Sequence, residues 1–297
     1  MTPDPAPATG RATLAGFAAI CLWSLLAVLT LGSAGLPPFL LLALGFAIGG
    51  LAGLLLLLRR GGPGLAGLRQ PLPAFVLTTA SLFGYHALYF IALKSAPVVQ
   101  ANLLNYLWPL LIVVFTALLL RQPVGARQWL GVLLGLAGAM VIVSGGGRIE
   151  IDPAHLPGYL AALGAALTWG AYSVLNRRFA RVPSAAIAGP CLLVAVLGWL
   201  CHLLFEDAVT IDPSQLWMVL AMGLGPVGIA FWLWDLGTKR GNLPVLGSLA
   251  YAAPLLSTLW LLLAGAAAPH WSQAVACALI VGGGLLSTGG LRVRPAR

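Results

Sequence analysis

Ten stretches of about 20 mainly apolar residues follow one another along this chain of 297 residues, separated by short Gly-rich, Pro-rich or charged segments. A stretch of that length crosses the bilayer core as an α-helix, which satisfies its own backbone hydrogen bonds. Only 8% of the residues are charged, against roughly a quarter in a soluble domain. The sequence therefore predicts an all-α polytopic membrane protein. The predicted spans lie near 13–32, 38–58, 72–93, 98–120, 128–144, 157–176, 184–205, 214–237, 243–264 and 271–290.

The positions of the basic residues predict the orientation, because loops rich in Lys and Arg stay in the cytoplasm. With the N-terminus inside, every Lys and Arg except Lys94 and Arg148 falls on the cytoplasmic side. The predicted cytoplasmic residues are Arg11, Arg59, Arg60, Arg69, Arg121, Arg127, Arg177, Arg178, Arg181, Lys239, Arg240, Arg292, Arg294 and Arg297. The predicted external residues include Glu150, Asp152, Glu206, Asp207 and Asp212. Both termini are expected in the cytoplasm, and the basic charge then reflects topology, with no nucleic-acid partner.

The second half of the chain repeats features of the first half. The stretch NYLWPLL contains Tyr106 and Pro109, and AYAAPLL contains Tyr251 and Pro254, at a spacing of 145 residues. The same spacing relates Lys94 to Lys239, Gln128 to Gln273 and Gly138 to Gly283, and a spacing of 146 relates Trp23 to Trp169. Since each half holds five spans, an odd number, the second copy must enter the membrane from the opposite side.

This repeat predicts ten transmembrane helices arranged as two inverted five-helix repeats. The first repeat covers residues 1–145 (spans 1–5) and the second covers residues 146–297 (spans 6–10), and together they form one membrane domain. Inverted repeats are typical of secondary transporters, whose substrate site lies near the midplane between the halves. A duplication that serves packing alone is the alternative.

The chain resembles the drug/metabolite transporter superfamily in its ten-span EamA-like form, over essentially its whole length. The resemblance rests on the Ala-rich first span ending at Trp23, the Ala-Leu-Lys-Ser-Ala-Pro stretch at 92–97, the spans with Pro109 and Pro254, and the Gln-x-x-Gly-x-x-Leu beginning at Gln128. Within the family, spans 3 and 4 are most similar to the YddG-type aromatic amino-acid exporters. The chain departs from the common pattern at the inner end of span 4, where Arg121-Gln122 stands in place of Gly-Glu. The resemblance implies a bacterial inner-membrane protein that exports amino acids by alternating access.

Polar and aromatic residues share helix faces on spans 3, 4 and 6. Lipid rejects Asn and His, so these faces are expected to point into the bundle or a wet cavity. Trp and Tyr rings suit aromatic side chains and cations that lie over their faces. The candidate substrate-binding residues are Trp23, Tyr85, His86, Tyr89, Asn102, Asn105, Tyr106, Trp108, Trp169, Tyr172 and Tyr251. For any one of them, interhelical hydrogen bonding or packing is the alternative.

Two prolines are predicted to break spans 4 and 9. Proline has no N–H, so Pro109 should free the carbonyl of Asn105, and Pro254 that of Ala250. At membrane depth such a carbonyl needs a partner, which a substrate ammonium could supply. A packing kink satisfied by a neighbouring hydroxyl is the alternative.

Asp235 is the only carboxylate inside a predicted span, and Lys239 follows it at i+4, a favourable spacing for a helical ion pair. Their place near the inner end of span 8 predicts a cytoplasmic gate, with substrate contact as the alternative. His86 is the only midspan group that titrates near neutrality. Proton coupling would therefore pass through His86 or be absent, and facilitated export is predicted.

A zwitterionic amino acid fits these residues, with its ammonium on carbonyl and Asn oxygens and its carboxylate on Asn amides or Tyr hydroxyls. The alternative within transport is the export of hydrophobic drugs or other neutral metabolites. No enzyme is expected, because the motifs HExxH, GxSxG and GxGD are absent. No cofactor or metal is predicted, since the four cysteines lack metal-ligand spacing. The expected partners are a small-molecule substrate and the lipid bilayer, with the protein as a monomer.

Overall fold

The computed structural model describes residues 5–33, 35–59, 61–148 and 152–288. This part of the chain contains ten helices that are long and apolar enough to span a membrane. They are α1 (Ala8–Gly32), α2 (Pro38–Leu58), α3 (Leu72–Ser95), α4 (Val98–Leu119), α5 (Ala126–Ser144), α6 (Pro153–Phe179), α7 (Ser184–Phe205), α8 (Pro213–Arg240), α9 (Leu243–Leu263) and α10 (Trp271–Thr288). The ten predicted spans are thereby confirmed. Residues 289 and 290 of the last predicted span lie outside the described residues, as do Arg60, Glu150, Arg292, Arg294 and Arg297.

The fourth and ninth spans are each divided into two helices. Span α4 consists of α4a (Val98–Asn105) and α4b (Trp108–Leu119), and α9 consists of α9a (Leu243–Ala250) and α9b (Ala252–Leu263). Each interruption comes two or three residues before a proline, Pro109 or Pro254, which lacks the N–H that a continuous helix would use there. The two interruptions occupy equivalent places in the two repeats.

Two further spans are irregular. Span α1 is interrupted at Leu25, between helix α1a (Pro5–Ser24), which begins three residues before the span, and helix α1b (Leu26–Gly32). Span α8 contains a π-helical turn, Gly223–Ile229, with Pro226 inside it. Neither irregularity was expected from the sequence.

Contacts between the spans relate the two repeats to each other. Spans α2 and α7 pack together, as do α4 and α9, and α5 and α10, so each pair joins equivalent spans of the two halves. Two other large contacts, α3 with α6 and α1 with α8, exchange with each other under the same equivalence. Because each repeat holds five spans, an odd number, the two repeats enter the membrane from opposite sides. The fold is that of two inverted five-helix repeats, as predicted, while the repeat boundary at residues 145 and 146 stays a prediction.

The contact between α5 and α10 brings two backbones very close. A Cβ atom placed on Gly131 would lie 2.6 Å from the carbonyl oxygen of Gly283, which leaves no room for a side chain. Small residues at such a crossing allow extensive van der Waals contact between helices in lipid. Large apolar side chains such as Leu118 and Leu204 are instead exposed on the outside of the bundle, where lipid would cover them.

The two ends of the bundle differ in charge. One end, hereafter the basic end, carries Arg11, Arg59, Arg69, Arg121, Arg127, Arg177, Arg178, Arg181, Lys239 and Arg240. The other, hereafter the acidic end, carries Asp152, Glu206, Asp207 and Asp212 together with Lys94 and Arg148. Helices α4b and α9a lie in the half next to the basic end, whereas α4a and α9b lie in the half next to the acidic end.

Candidate functional site

Ring side chains from six spans form one connected cluster inside the bundle, hereafter the central ring cluster. Its members are Trp23, Phe46, Tyr85, His86, Tyr89, Trp108, Trp169, Tyr172, Phe231 and Trp234. Two more rings, Phe90 and Phe39, contact it in series from the side of His86. The Trp23 ring lies among its neighbours, with its centroid 5.6 Å from that of Trp169 and 5.1 Å from that of Trp234. These are the separations at which ring pairs attract each other. The cluster joins the two repeats, because α1 to α4 belong to the first and α6 and α8 to the second.

Three members of the cluster were missed in the sequence. Phe231 lies four residues before Asp235 and therefore on the same face of α8. Asp235 is the only carboxylate in a predicted span, so this spacing could have indicated Phe231 as a site residue. Trp234 donates from its indole N–H to the hydroxyl oxygen of Ser173, 3.1 Å away. Phe46 has only apolar neighbours along α2, so no sequence signal marked it.

Two hydrogen bonds join the phenols of α3 to the amides of α4a. The Tyr89 hydroxyl donates to Oδ1 of Asn102, and Nδ2 of Asn105 donates to the Tyr85 hydroxyl oxygen over 3.2 Å. The rings of Tyr85 and Tyr89 are stacked, with centroids 6.0 Å apart. The Tyr85 ring lies 5.3 Å from that of Trp169 on α6. The amides of α4a are thus connected to the central ring cluster.

The π-helical turn of α8 orients Trp23. The indole N–H of Trp23 donates to the carbonyl oxygen of Pro226 at 2.9 Å, across 203 positions of the chain. A π turn disturbs the regular pairing of helix carbonyls, and such turns often occur at functional sites. The bond restricts the rotation of the Trp23 indole within the central ring cluster.

A cleft of about 270 Å³ opens at the acidic end between α4a, α5 and α9b. Its lining residues are Val98, Val99, Asn102, Tyr106, Ile142, Val143, Pro254, Ser257 and Thr258. Asn102 belongs both to this cleft and to the hydrogen bond with Tyr89. The cleft therefore adjoins the α3 edge of the central ring cluster and presents amide, phenol and hydroxyl groups there.

At the basic end, the helix surfaces that are equivalent to the lining of this cleft are packed together. Thr258 lines the cleft, whereas its repeat equivalent Val113 is fully buried on α4b. Tyr106 is half-buried in the cleft, whereas Tyr251 is fully buried among apolar residues of α5 and α10. The bundle is open between α4a and α9b and closed between the corresponding helices at the basic end.

Helices α4b and α9a meet at a glycine. A Cβ atom on Gly247 would lie 2.8 Å from the carbonyl oxygen of Pro109 and 2.9 Å from Cγ2 of Val113. The repeat equivalent of Gly247 is Asn102, which lines the open cleft. The absence of a side chain at Gly247 permits close contact at the basic end.

Asp235 and Lys239 form a buried ion pair at the basic end of α8. The Lys239 Nζ lies 2.8 Å from Oδ2 of Asp235, and less than a tenth of either side chain is exposed. Lys239 Nζ also donates to the carbonyl oxygen of Val182, 3.1 Å away in the loop between α6 and α7. Both charges are thus neutralised inside the protein, the condition under which a buried charge is tolerated.

Asn176 and Arg177 connect the end of α6 to the same ion pair. Nδ2 of Asn176 donates to Oδ1 of Asp235 at 2.9 Å and to Oγ1 of Thr238 at 3.0 Å. Arg177 donates to the carbonyl oxygens of Thr238 and Gly241. These five residues and Lys239, hereafter the basic-end network, join α6 to α8 at that end. Asn176 follows Trp169 by seven residues on α6, and it lies in this network and away from the cleft.

The acidic end holds a different arrangement around Glu206. Its carboxylate accepts from the backbone N–H of Phe39 at 2.8 Å and of Leu40 at 3.1 Å, and it lies 3.0 Å from Nδ1 of His202. It therefore caps the start of α2, whose first N–H groups lack helical partners. A shallow cleft of about 280 Å³ beside it is lined by Pro37, Pro38, Lys94, Phe205, Glu206, Asp207 and Val209. Within the described residues, Lys94 makes no ion pair.

The predicted site residues fall into three places. The central ring cluster holds Trp23, Tyr85, His86, Tyr89, Trp108, Trp169 and Tyr172, and Asn105 is bonded to it. The cleft holds Asn102, Tyr106 and Pro254. The packed half next to the basic end holds Pro109, Tyr251, Asp235 and Lys239. Their roles in transport stay predictions. In the described ranges, no three His, Cys, Asp or Glu side chains are grouped so as to hold a metal ion.

Comparison with known proteins gives a consistent result over both halves of the chain. The model of the EamA-like transporter family matches residues 11–144 and again residues 156–289. A relative from Ancylobacter novellus named aromatic amino acid exporter YddG is 52% identical over 278 residues, covering 93% of this chain and 96% of the relative. The protein of that name from Escherichia coli K12 is 29% identical, with the same coverage.

A solved crystal structure agrees with this fold. It is 51% identical in sequence and superposes with a TM-score of 0.89, covering 95% of this chain and 99% of the other. The family match occurs once in each five-span repeat. The chain therefore belongs to the EamA-like transporter family.

Proposed function

We propose that this protein exports aromatic and other neutral amino acids across the bacterial inner membrane by alternating access. The observation that carries the proposal is the cleft at the acidic end, which presents Asn102 and Tyr106 beside the central ring cluster. The names of the relatives from A. novellus and E. coli support the same substrate class. The basic end is assigned to the cytoplasm because Lys and Arg are retained there, and the protein is proposed to act as a monomer.

The ring cluster suits both parts of an aromatic amino acid. Ring faces attract the substrate ring and, through their negative π-surface, its ammonium group. In the described part of the chain, the indole N–H groups of Trp108 and Trp169 have no hydrogen-bond partner. A donor without a partner in the protein is available to an acceptor on a ligand.

Alternating access is supported by the unequal packing of equivalent helices. Helices α4a and α9b are separated by the cleft, while α4b and α9a are in contact at Gly247. Because the repeats are inverted, exchanging these two arrangements would close the acidic end and open the basic end. The basic-end network would then separate as α6 and α8 move apart.

Facilitated transport down the gradient is the proposed mode. Asp235 is paired with Lys239 and bonded to Asn176, so it is not available for exchanging a proton with a cationic substrate. His86 is the residue through which any proton coupling would pass. Replacing His86 and finding an unchanged dependence of flux on pH would remove it from a proton role.

The test is flux in proteoliposomes. Vesicles that contain the purified protein and are loaded with labelled tryptophan should release it faster than protein-free vesicles. Trp169→Leu removes a ring that contacts five other rings of the cluster. A contact between this ring and the substrate ring would be worth about 1 kcal/mol, so its loss should lower the flux of the variant about fivefold or more.

Trp199→Leu is the matched control, because Trp199 lies on α7 with 45% of its surface exposed and outside the ring cluster. Its flux should equal that of the unchanged protein. If no amino acid is released above background, while a hydrophobic drug or another neutral metabolite is, the amino-acid assignment is wrong. Competition by unlabelled phenylalanine and threonine would then be absent as well.

A further inference from the structure

The hydrogen bonding of His86 determines which of its ring nitrogens is free. Nδ1 lies 2.7 Å from the carbonyl oxygen of Leu82, one turn earlier on α3. A carbonyl oxygen can only accept, so Nδ1 must carry the hydrogen. In the neutral ring, Nε2 is then a bare acceptor. Among the described residues, none donates a hydrogen bond to Nε2.

The surroundings of His86 are rings from three spans. Its centroid lies 5.1 Å from that of Tyr85 and 5.3 Å from that of Phe46, and both rings are close to perpendicular to it. Phe231 is 6.1 Å away and Phe90 is 6.3 Å away. The Tyr85 hydroxyl oxygen accepts from Nδ2 of Asn105 on α4a. Three of the four neighbouring rings carry no donor, and the fourth has its oxygen directed at α4a.

His86 differs from a histidine that only packs in a protein core. A core histidine normally has both nitrogens bonded, because a buried polar atom without a partner is destabilising. His86 is half-buried, and its unpaired Nε2 is not fully enclosed by the protein, so Nε2 lies beside space that a ligand can enter. Rings around that space would hold a flat apolar group by contact. The one acceptor among them would bond to a donor on the edge of that group.

We propose that His86 is a specificity-determining residue of the proposed transporter, whose Nε2 accepts a hydrogen bond from the ring-borne donor of the substrate side chain. The donor is the indole N–H of tryptophan or the phenol O–H of tyrosine. The inference rests on the proposed function and adds an order of preference to it. Tryptophan and tyrosine bind more tightly than phenylalanine, which has no donor on its ring.

The assignment of the side chain to His86 leaves the amino-acid head for the cleft. Asn102, Tyr106 and Ser257 line that cleft and carry the amide and hydroxyl groups. Tyr89 and Tyr85 lie between the two regions, stacked on each other and joined to α4a. A site built to bond a ring donor discriminates strongly against an analogue that lacks it.

The experiment measures half-saturation concentrations for tyrosine and phenylalanine in proteoliposomes, for the unchanged protein and for His86→Phe and His86→Gln. One net hydrogen bond predicts a preference for tyrosine of about three- to tenfold in the unchanged protein. His86→Phe keeps a ring in place and removes the acceptor, so the ratio should approach one. His86→Gln restores an acceptor oxygen near the place of Nε2 and should recover part of the preference.

Tyr89→Phe is the matched control for the ratio, since it removes a hydroxyl that is engaged with Asn102. The preference for tyrosine should persist in that variant, whatever its overall rate. A ratio that stays the same in His86→Phe overturns the proposal. So does an unchanged protein that does not distinguish the two substrates.

A second measurement needs no variant and covers the case in which His86→Phe is inactive. The analogue of tryptophan in which sulfur replaces the indole N–H has nearly the same shape but no donor. It should bind about three- to tenfold less tightly than tryptophan, and equal binding overturns the proposal. If no aromatic amino acid is transported at all, the proposed function itself fails. If all are transported with equal affinity, only the role of His86 fails.

Discussion

The polar side chains inside the bundle divide into those that have a hydrogen-bond or ion-pair partner in the protein and those that have a nitrogen without one. Asp235, Lys239 and Asn176 have their partners in the basic-end network, whereas Nε2 of His86 and the N–H of Trp169 have none among the described residues. The first group stabilises one arrangement of the helices, and the second is available to a ligand. The i, i+4 spacing predicted the bond between Asp235 and Lys239, because it is local. Asn176 is 59 positions from Asp235, and no pattern in the sequence relates them.

Breaking the buried ion pair should destabilise the protein. Lys239→Met leaves Asp235 charged and without its cation, which costs about 3–5 kcal/mol. Asp235→Asn in the same chain removes the remaining charge and keeps an oxygen for Asn176. The double variant should therefore unfold less easily than Lys239→Met alone. Denaturant unfolding in detergent micelles measures both.

Arg240→Met is the control for that comparison, because it removes a basic charge from the next position, which is exposed. Its free energy of unfolding should change by less than about 0.5 kcal/mol. A double variant that is as unstable as the sum of its two single variants would contradict the assignment of a coupled pair.

At the scale of helices, the interruptions differ in how far the sequence predicts them. Those of α4 and α9 follow from Pro109 and Pro254, since proline acts on its own helix. The interruption of α1 at Leu25 adjoins Ser24, whose carbonyl accepts from Ser257 and whose hydroxyl accepts from Trp260. Both partners lie on α9b, more than 230 positions away. An interruption supported by another span has no local signature.

The contact between α4b and α9a predicts the effect of adding one methyl group. In Gly247→Ala the new Cβ meets a backbone oxygen of α4b at 2.8 Å, so the helices must separate. Such overpacking costs about 1–3 kcal/mol and acts on the state that is closed at the basic end. We expect a lower melting temperature and an altered flux.

Gly282→Ala is the matched control, because a Cβ there meets nothing within 4 Å. It should leave melting and flux unchanged. Equal effects of the two substitutions would show that the crossing of α4b and α9a is not a close contact.

At the scale of the whole molecule, the number and extent of the spans were predictable because lipid imposes them. The inverted arrangement followed from a spacing of 145 between equivalent residues and an odd number of spans. What the sequence did not show is which end is open, since both repeats carry nearly the same pattern. The sequence also did not predict the roles of Phe46, Phe231 and the π turn of α8, because these depend on neighbours in other spans.

Accessibility of equivalent positions tests the open end. In a chain whose four native cysteines are replaced, Thr258→Cys should react with a membrane-impermeant maleimide added outside the cell, because Thr258 lines the cleft. Val113→Cys occupies the equivalent place in the other repeat and is fully buried, so it should react at least about tenfold more slowly. Equal labelling of the two, or labelling of Val113→Cys alone, would contradict the open acidic end.

Lys239 is held by Asp235, while its repeat equivalent Lys94 follows Phe90 at the same spacing and has no ion pair among the described residues. Of these two equivalent lysines, only Lys239 is thus held in an ion pair within the described part of the chain, and we expect the protein to spend the most time in the state in which that ion pair is formed. In the proposed passive transport, such a bias cannot move substrate against its gradient, because the same ion pair must break in every cycle, whichever way the substrate moves. It sets which half of the cycle is slow, and the concentration gradient alone sets the net direction.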